Sequence, residues 1–237
     1  EGRDEALYET LRARALLPSG PLGRQQLTAL VARLQPYAEA FLAWRGAAPR
    51  GSVRVEVELD ALRLQGRLEG VYEHGLAHVR LGAMNGPAAI RQGLDWLLAS
   101  AAGLALPLVR FFDPGSRDLP GIGPFVRAPL APHQARAALQ RLLEVRARGL
   151  QAPLPFGPYS GWDYFNAEDA DKALKAAAAR WRGSERSWGE GNGEAYQLAL
   201  RGRDPFTDPA LLRDFAQTSF DIFGAVEHLS LIHISEP

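Results

Sequence analysis

The period of the apolar positions changes along this chain, and the changes mark its elements. From Glu5 to Leu16 the residues Leu7, Tyr8, Leu11, Ala15 and Leu16 recur at helical spacing. Pro18, Gly20, Pro21 and Gly23 break that pattern. A second helical stripe runs from Gln25 to Trp44 through Leu27, Leu30, Val31, Leu34, Tyr37, Phe41 and Leu42, and Pro36 is expected to kink or split it. Gly46 to Gly51 reads as a linker. From Ser52 the period drops to two: Val53, Val55, Val57 and Leu59 alternate with Arg54, Glu56 and Glu58. A turn at Asp60-Ala61 leads into a second alternating run, Leu62 to Gly70, and a turn at Glu73-His74-Gly75 leads into Leu76 to Leu81. The pattern predicts an antiparallel meander.

The rest is mixed. Gly86 to Ala102 predicts a helix, Leu104 to Phe112 a strand, and Phe125 to Ala128 its hairpin partner. Pro129 to Arg148 predicts a helix with Gly149 as its C-terminal cap. The proline-rich stretch Gln151 to Pro158 predicts extended chain. Asn166 to Trp181 predicts a helix capped by Asn166. Gly183 to Gly193 predicts a flexible polar loop, and short and long helices follow at Glu194 to Leu200 and Asp208 to Glu227. The fold class is therefore α/β of the mixed, α+β kind, a meander flanked by helices. The division expected is a helical segment at 1–50, a main domain at 51–228 and a tail at 229–237. That tail, Leu229 to Pro237, continues no period. It is similar to a translated sequencing adapter and is read as foreign to the fold, with a truncated start at Glu1.

Composition narrows little. Apolar residues are 46% of 237, enough for a packed core, and no run is long and apolar enough to span a membrane. Cysteine is absent, which excludes disulfides and thiolate metal sites. With no signal-peptide core near the start, a cytoplasmic location is expected. The formal charge is zero, so no general affinity for nucleic acid follows from it. The 25 arginines outnumber the two lysines, a bias that a GC-rich genome produces by default.

Several ordered motifs point further. Val53 to Met84, VRVEVELDALRLQGRLEGVYEHGLAHVRLGAM, is followed by GLDWLLASAAG at Gly93 to Gly103 and APLPFGPYSGWDYF at Ala152 to Phe165. Arg180-Trp181-Arg182-Gly183, Gly189 to Tyr196, Arg201-Gly202 and Asp204-Pro205-Phe206 come after them. In this order they resemble the C-terminal domain of the RecC family, the exodeoxyribonuclease V gamma chain. The resemblance implies a degenerate PD-(D/E)XK nuclease-like fold without catalysis. It implies RecB-like and RecD-like partner subunits, and contact with double- and single-stranded DNA. ATP and Mg²⁺ are then expected on the partners, and no cofactor in this chain.

The residues agree with lost catalysis. A PD-(D/E)XK nuclease needs an acid on one strand and an acid-x-Lys pair on the next, to hold Mg²⁺ and position water. Here the first strand offers Glu69, and His78-Val79-Arg80-Leu81-Gly82-Ala83 offers neither carboxylate nor lysine. An active nuclease would need a lysine from elsewhere, such as Lys172. A pure protein-interaction module is the other alternative. Gly121 to Pro124 reads as a turn rather than a phosphate loop, and His74 and His78 lack a third metal ligand. For DNA contact the candidates are Arg54, Arg63, Arg67 and Arg80 on the meander strands. Trp162, Tyr164, Trp181 and Trp188 can stack on bases, though core packing is the plainer role.

Overall fold

A computed structural model describes residues 2–45, 52–60, 62–115 and 121–227. The 46–51 linker and the 229–237 tail lie outside them. Two helices lead, α1 (Gly2–Ala13) and α2 (Pro21–Arg45). Pro36 does not break α2. Proline removes one amide from the ladder, but Ala32 and Pro36 are both exposed, so water can satisfy the carbonyl left over. The far end of α2 docks by aromatic edges. The Phe41 ring lies 5.5 Å from Tyr72 and 5.6 Å from Phe111, and Trp44 lies 5.7 Å from Phe111.

The meander consists of two antiparallel ladders. β1 (Val53–Leu59) pairs with β2 (Leu62–Leu68), and β3 (Val71–Tyr72) pairs with β4 (Gly75–Val79). The predicted second strand is interrupted after Leu68 because Gly70 turns to φ +71°, where a side chain would strike the Ala77 carbonyl. Beyond β4 the chain crosses over through α3 (Gly86–Ala101) to β5 (Leu108–Phe111), which pairs parallel to β4. β6 (Phe125–Arg127) then pairs antiparallel to β5, giving a four-stranded sheet ordered β3-β4-β5-β6.

α3 is the hub. Asn85 caps it, accepting from the Ala88 amide at 3.1 Å. Trp96, Leu97 and Ala101 are buried in one cluster with Val57 and Leu59 of β1, Ala135 and Leu139 of α4 (Pro132–Gln151), and Phe223 and Val226 of α8 (Pro209–Glu227). A fully buried leucine such as Leu97 is worth about 1.5–3 kcal/mol. Gly93 lets α8 approach: a Cβ there would lie 2.5 Å from Val226 Cβ.

Three local expectations are corrected, and one helix appears that the sequence did not predict. α4 runs on through Gly149 to Gln151, and Ala152 follows as its cap. The proline-rich stretch is non-helical from Ala152 to Gly157, with extended backbone at both ends as expected, and the unpredicted helix α5 (Pro158–Phe165) follows it. Pro158 fits a first helical turn, and the cap comes from a distant residue: Glu190 accepts from the Tyr159 and Ser160 amides at 3.0 and 2.8 Å. Asn166 closes α5, while Asp169 caps α6 (Ala170–Arg182), accepting from the Lys172 amide at 2.7 Å. The glycine-rich loop is ordered as a small hairpin, β7 (Gly183–Ser184) with β8 (Ser187–Trp188), and a 3₁₀ turn, Glu190–Asn192. Gly191 is buried against the Trp181 indole, so this is packed chain rather than a flexible loop. α7 (Glu194–Leu200) leads on to α8.

Candidate nucleic-acid interface

Alternation along β1 and β2 buries Val55, Val57, Leu59 and Leu68 and turns Arg54, Glu56, Glu58, Arg63, Gln65 and Arg67 outward. The register sets Arg54 opposite Arg67, Glu56 opposite Gln65 and Glu58 opposite Arg63. Three of the four candidate arginines therefore share one exposed face. Its charges are matched, however. Arg63 lies 3.2 Å from Glu56 and 3.3 Å from Glu58, and Arg67 lies 2.8 Å from Glu69. Three arginines meet three carboxylates, and only Arg54 makes no ion pair among the described residues. Surface pairs of this kind are worth little in stability. They do cancel the positive field that a phosphate backbone would follow.

Arg80 stands elsewhere. It follows β4 by one residue instead of lying on the strand, and its amide extends the parallel ladder by donating to the Phe111 carbonyl at 2.8 Å. Its Nε donates to the Ala83 carbonyl at 2.6 Å, which orients the guanidinium. Around it lie His78, Leu81, Ala88, Arg91 and Gln92, enclosing a cavity of about 350 Å³ between the end of β4 and the first turns of α3.

This corner holds perturbed groups. Burial, together with the positive charges of Arg110 and Arg91, pushes the His78 imidazole down to about 4. Burial raises the Asp95 carboxyl to about 6, against the pull of Arg91. His78 Nε2 is 3.6 Å from Asp95 Oδ2, too far for a hydrogen bond, and has no other partner. Gln92, 6% exposed, leaves its Oε1 without a partner. Arg91, Gln92 and Asp95 escape sequence reading because the adjacent Arg91-Gln92 and the single Asp95 match no motif within an otherwise apolar helical run.

Glu69 is exposed and tied to Arg67, and Lys172 is held by Glu168 at 2.8 Å and Asp169 at 3.4 Å. No three acidic or imidazole groups converge on a metal position among the described residues. Of the aromatic candidates, Trp181 is buried with its ring 5.1 Å from Tyr196, Trp162 packs 5.3 Å from Phe223, and Tyr164 packs 5.5 Å from Phe215. Trp188 alone is well exposed, at 78%. Gly121 to Pro124 forms a turn containing a cis Gly123-Pro124 bond. No helix among the described residues is long and apolar enough to cross a membrane.

These features define an α+β domain that carries arginines on two separate surfaces and is organised around one buried helix. The chain belongs to the RecC C-terminal domain family, whose model matches residues 1–169, from α1 to the residues just before α6. The resemblance carried by the ordered motifs is thereby borne out for the matched stretch. The family places the chain as a subunit module of a RecBCD-type exodeoxyribonuclease V complex of DNA repair and recombination. No curated protein matches it.

Proposed function

We propose that this chain is a non-catalytic module that helps route DNA strands and joins RecB-like and RecD-like subunits in double-strand break repair. On this reading the β1–β4 and α3 region is a nuclease-like core that has lost its metal site, and ATP and Mg²⁺ act on the partner subunits. One observation carries the proposal. Where a PD-(D/E)XK enzyme needs converging acids and a lysine, Glu69 is neutralised by Arg67 at 2.8 Å, and β4 ends in His78 and Val79 with Arg80 just beyond it.

The test has two arms on the assembled complex. A photocrosslinkable forked duplex should label this chain. Linear DNA should be degraded at the same rate when Glu69→Ala is introduced here. Metal-dependent cleavage lost with Glu69→Ala would overturn the reading in favour of an active nuclease. Absence of any crosslink would favour a module that contacts protein alone. That rival has one observation on its side, an apolar groove of about 430 Å³ lined by Leu64, Ile90, Leu94, Leu142, Leu143 and Ile222 among others.

A further inference from the structure

We propose that the free edge of β2 and the apolar groove beside it accept an added β-strand from a partner subunit. The occupant is an extended protein segment of alternating apolar residues, with a carboxylate placed for Arg146. The inference rests on the subunit-joining half of the reading above and gives it a location.

The edge comes first. β2 pairs with β1 alone among the described residues, so its other edge is open. Leu59 and Leu62 close the ladder as a hydrogen-bonded pair, and alternation from there sets the direction of each amide. Those of Leu62, Leu64, Gly66 and Leu68 face β1. Those of Arg63, Gln65 and Arg67 face away and donate to nothing among the described residues. Such an unpaired row of donors and acceptors is a template for one more strand.

The inner face beside that edge is unfinished. Leu59 is 6% exposed, but Leu62, its partner across the ladder, is 54% exposed. Val57 is buried, while Leu64 opposite it is only half-buried. The core thus covers β1 on this face and leaves β2 open. Leu64 and Gln65 line the groove of about 430 Å³, and no residue of β1 does. The groove therefore lies on the free side of β2, with Ile90 and Leu94 of α3, Leu142 of α4 and Ile222 of α8 around it. A strand added at the usual spacing of about 4.8 Å would set every second side chain into it.

Charge selects the occupant. Arg146 is the one charged residue lining the groove, and it is exposed with no ion pair among the described residues. An apolar trough with a lone guanidinium complements apolar side chains and a carboxylate. A DNA strand would instead set a row of phosphates against leucine and isoleucine, desolvating charge with no partner to replace the water.

The experiment places the photocrosslinker p-benzoylphenylalanine at Leu62 or Gln65 of the full chain, assembled with RecB-like and RecD-like subunits. Mass spectrometry should map both positions to one partner segment that alternates apolar residues and carries an acid. The β2 amides should exchange hydrogen more slowly in the complex than in the chain alone. Gln65→Pro removes an outward amide without touching the β1 ladder, so association read by biolayer interferometry should weaken about tenfold or more. Arg146→Glu should weaken it about as much, while Arg146→Lys should stay within about twofold of the parent. Circular dichroism and melting temperature, unchanged from the parent, exclude misfolding as the cause.

Loss of association in Arg146→Glu but not in Gln65→Pro, with β2 amides unprotected, would mean a helix in the groove and overturn the added strand. Crosslinks confined to DNA or to a second copy of this chain would overturn the partner. Normal assembly with no crosslink from either position would overturn this site and leave subunit joining intact. Failure of the parent chain to assemble at all would remove both.

Discussion

Glu227, the last residue of α8, closes a buried charge cluster, and its removal gives the sharpest test of the fold. Its carboxylate accepts from Arg110 of β5 at 3.0 and 2.8 Å and from Arg127 of β6. Arg110 and Glu227 are 7% and 8% exposed, and burial pulls the Arg127 guanidinium below its ordinary value. Glu227→Gln preserves shape but leaves two guanidiniums without a counter-charge. Breaking a buried pair from one side costs about 3–5 kcal/mol, a fifth or more of the roughly 5–15 kcal/mol that holds a domain folded. At about 2–4 °C per kcal/mol for a chain of this size, the melting temperature should fall by roughly 6–20 °C. Urea denaturation followed by tryptophan fluorescence measures the loss directly. Replacing all three residues by methionine should bring stability back towards the parent, because no orphan charge then remains. A loss below about 1 kcal/mol in Glu227→Gln would refute the argument.

Three further outcomes are expected. Gly93→Ala forces a methyl to within 2.5 Å of Val226 Cβ and 2.6 Å of its carbonyl, so urea denaturation should show a loss of about 1–3 kcal/mol; no loss would mean that α8 moves aside freely. Trp181→Ala should cost about 3–5 kcal/mol and Trp188→Ala within about 0.5 kcal/mol, since one ring is buried and the other solvated; equal effects would contradict the packing. The His78 imidazole, depressed to about 4, stabilises the fold above pH 6.5, and this is lost as pH falls towards 4; Asp95, raised to about 6, destabilises the fold at neutral pH, and this is relieved over a similar range. The two slopes oppose each other, so Asp95→Asn should expose an acid-side loss approaching 1.4 kcal/mol per pH unit, and parallel urea profiles for parent and variant would disprove the assignment.

Period and punctuation made much of the fold legible. Val53 to Leu59 announced a half-buried strand, and Gly86 to Ala102 announced the helix that became the hub. The sequence did not reveal what depends on distant partners. α5 hides behind Pro158 because its cap, Glu190, lies 31 residues from Tyr159. The balance of charge on the hairpin was invisible until the register set Glu58 opposite Arg63. Arg80 was named from the sequence but assigned to the wrong company. Its neighbours Arg91 and Gln92 arrive through the β4-α3 turn, and no local pattern advertises them.

The bond between Arg110 and Glu227 spans 117 residues of sequence. During synthesis at about 5–20 residues per second, β5 must wait roughly 6–23 s before its counter-ion has been made. Until then a guanidinium destined for the interior has to stay in water, so the sheet cannot settle while the ribosome is still translating α8. Factors that shelter a nascent chain would meet this protein with its central strand unfinished.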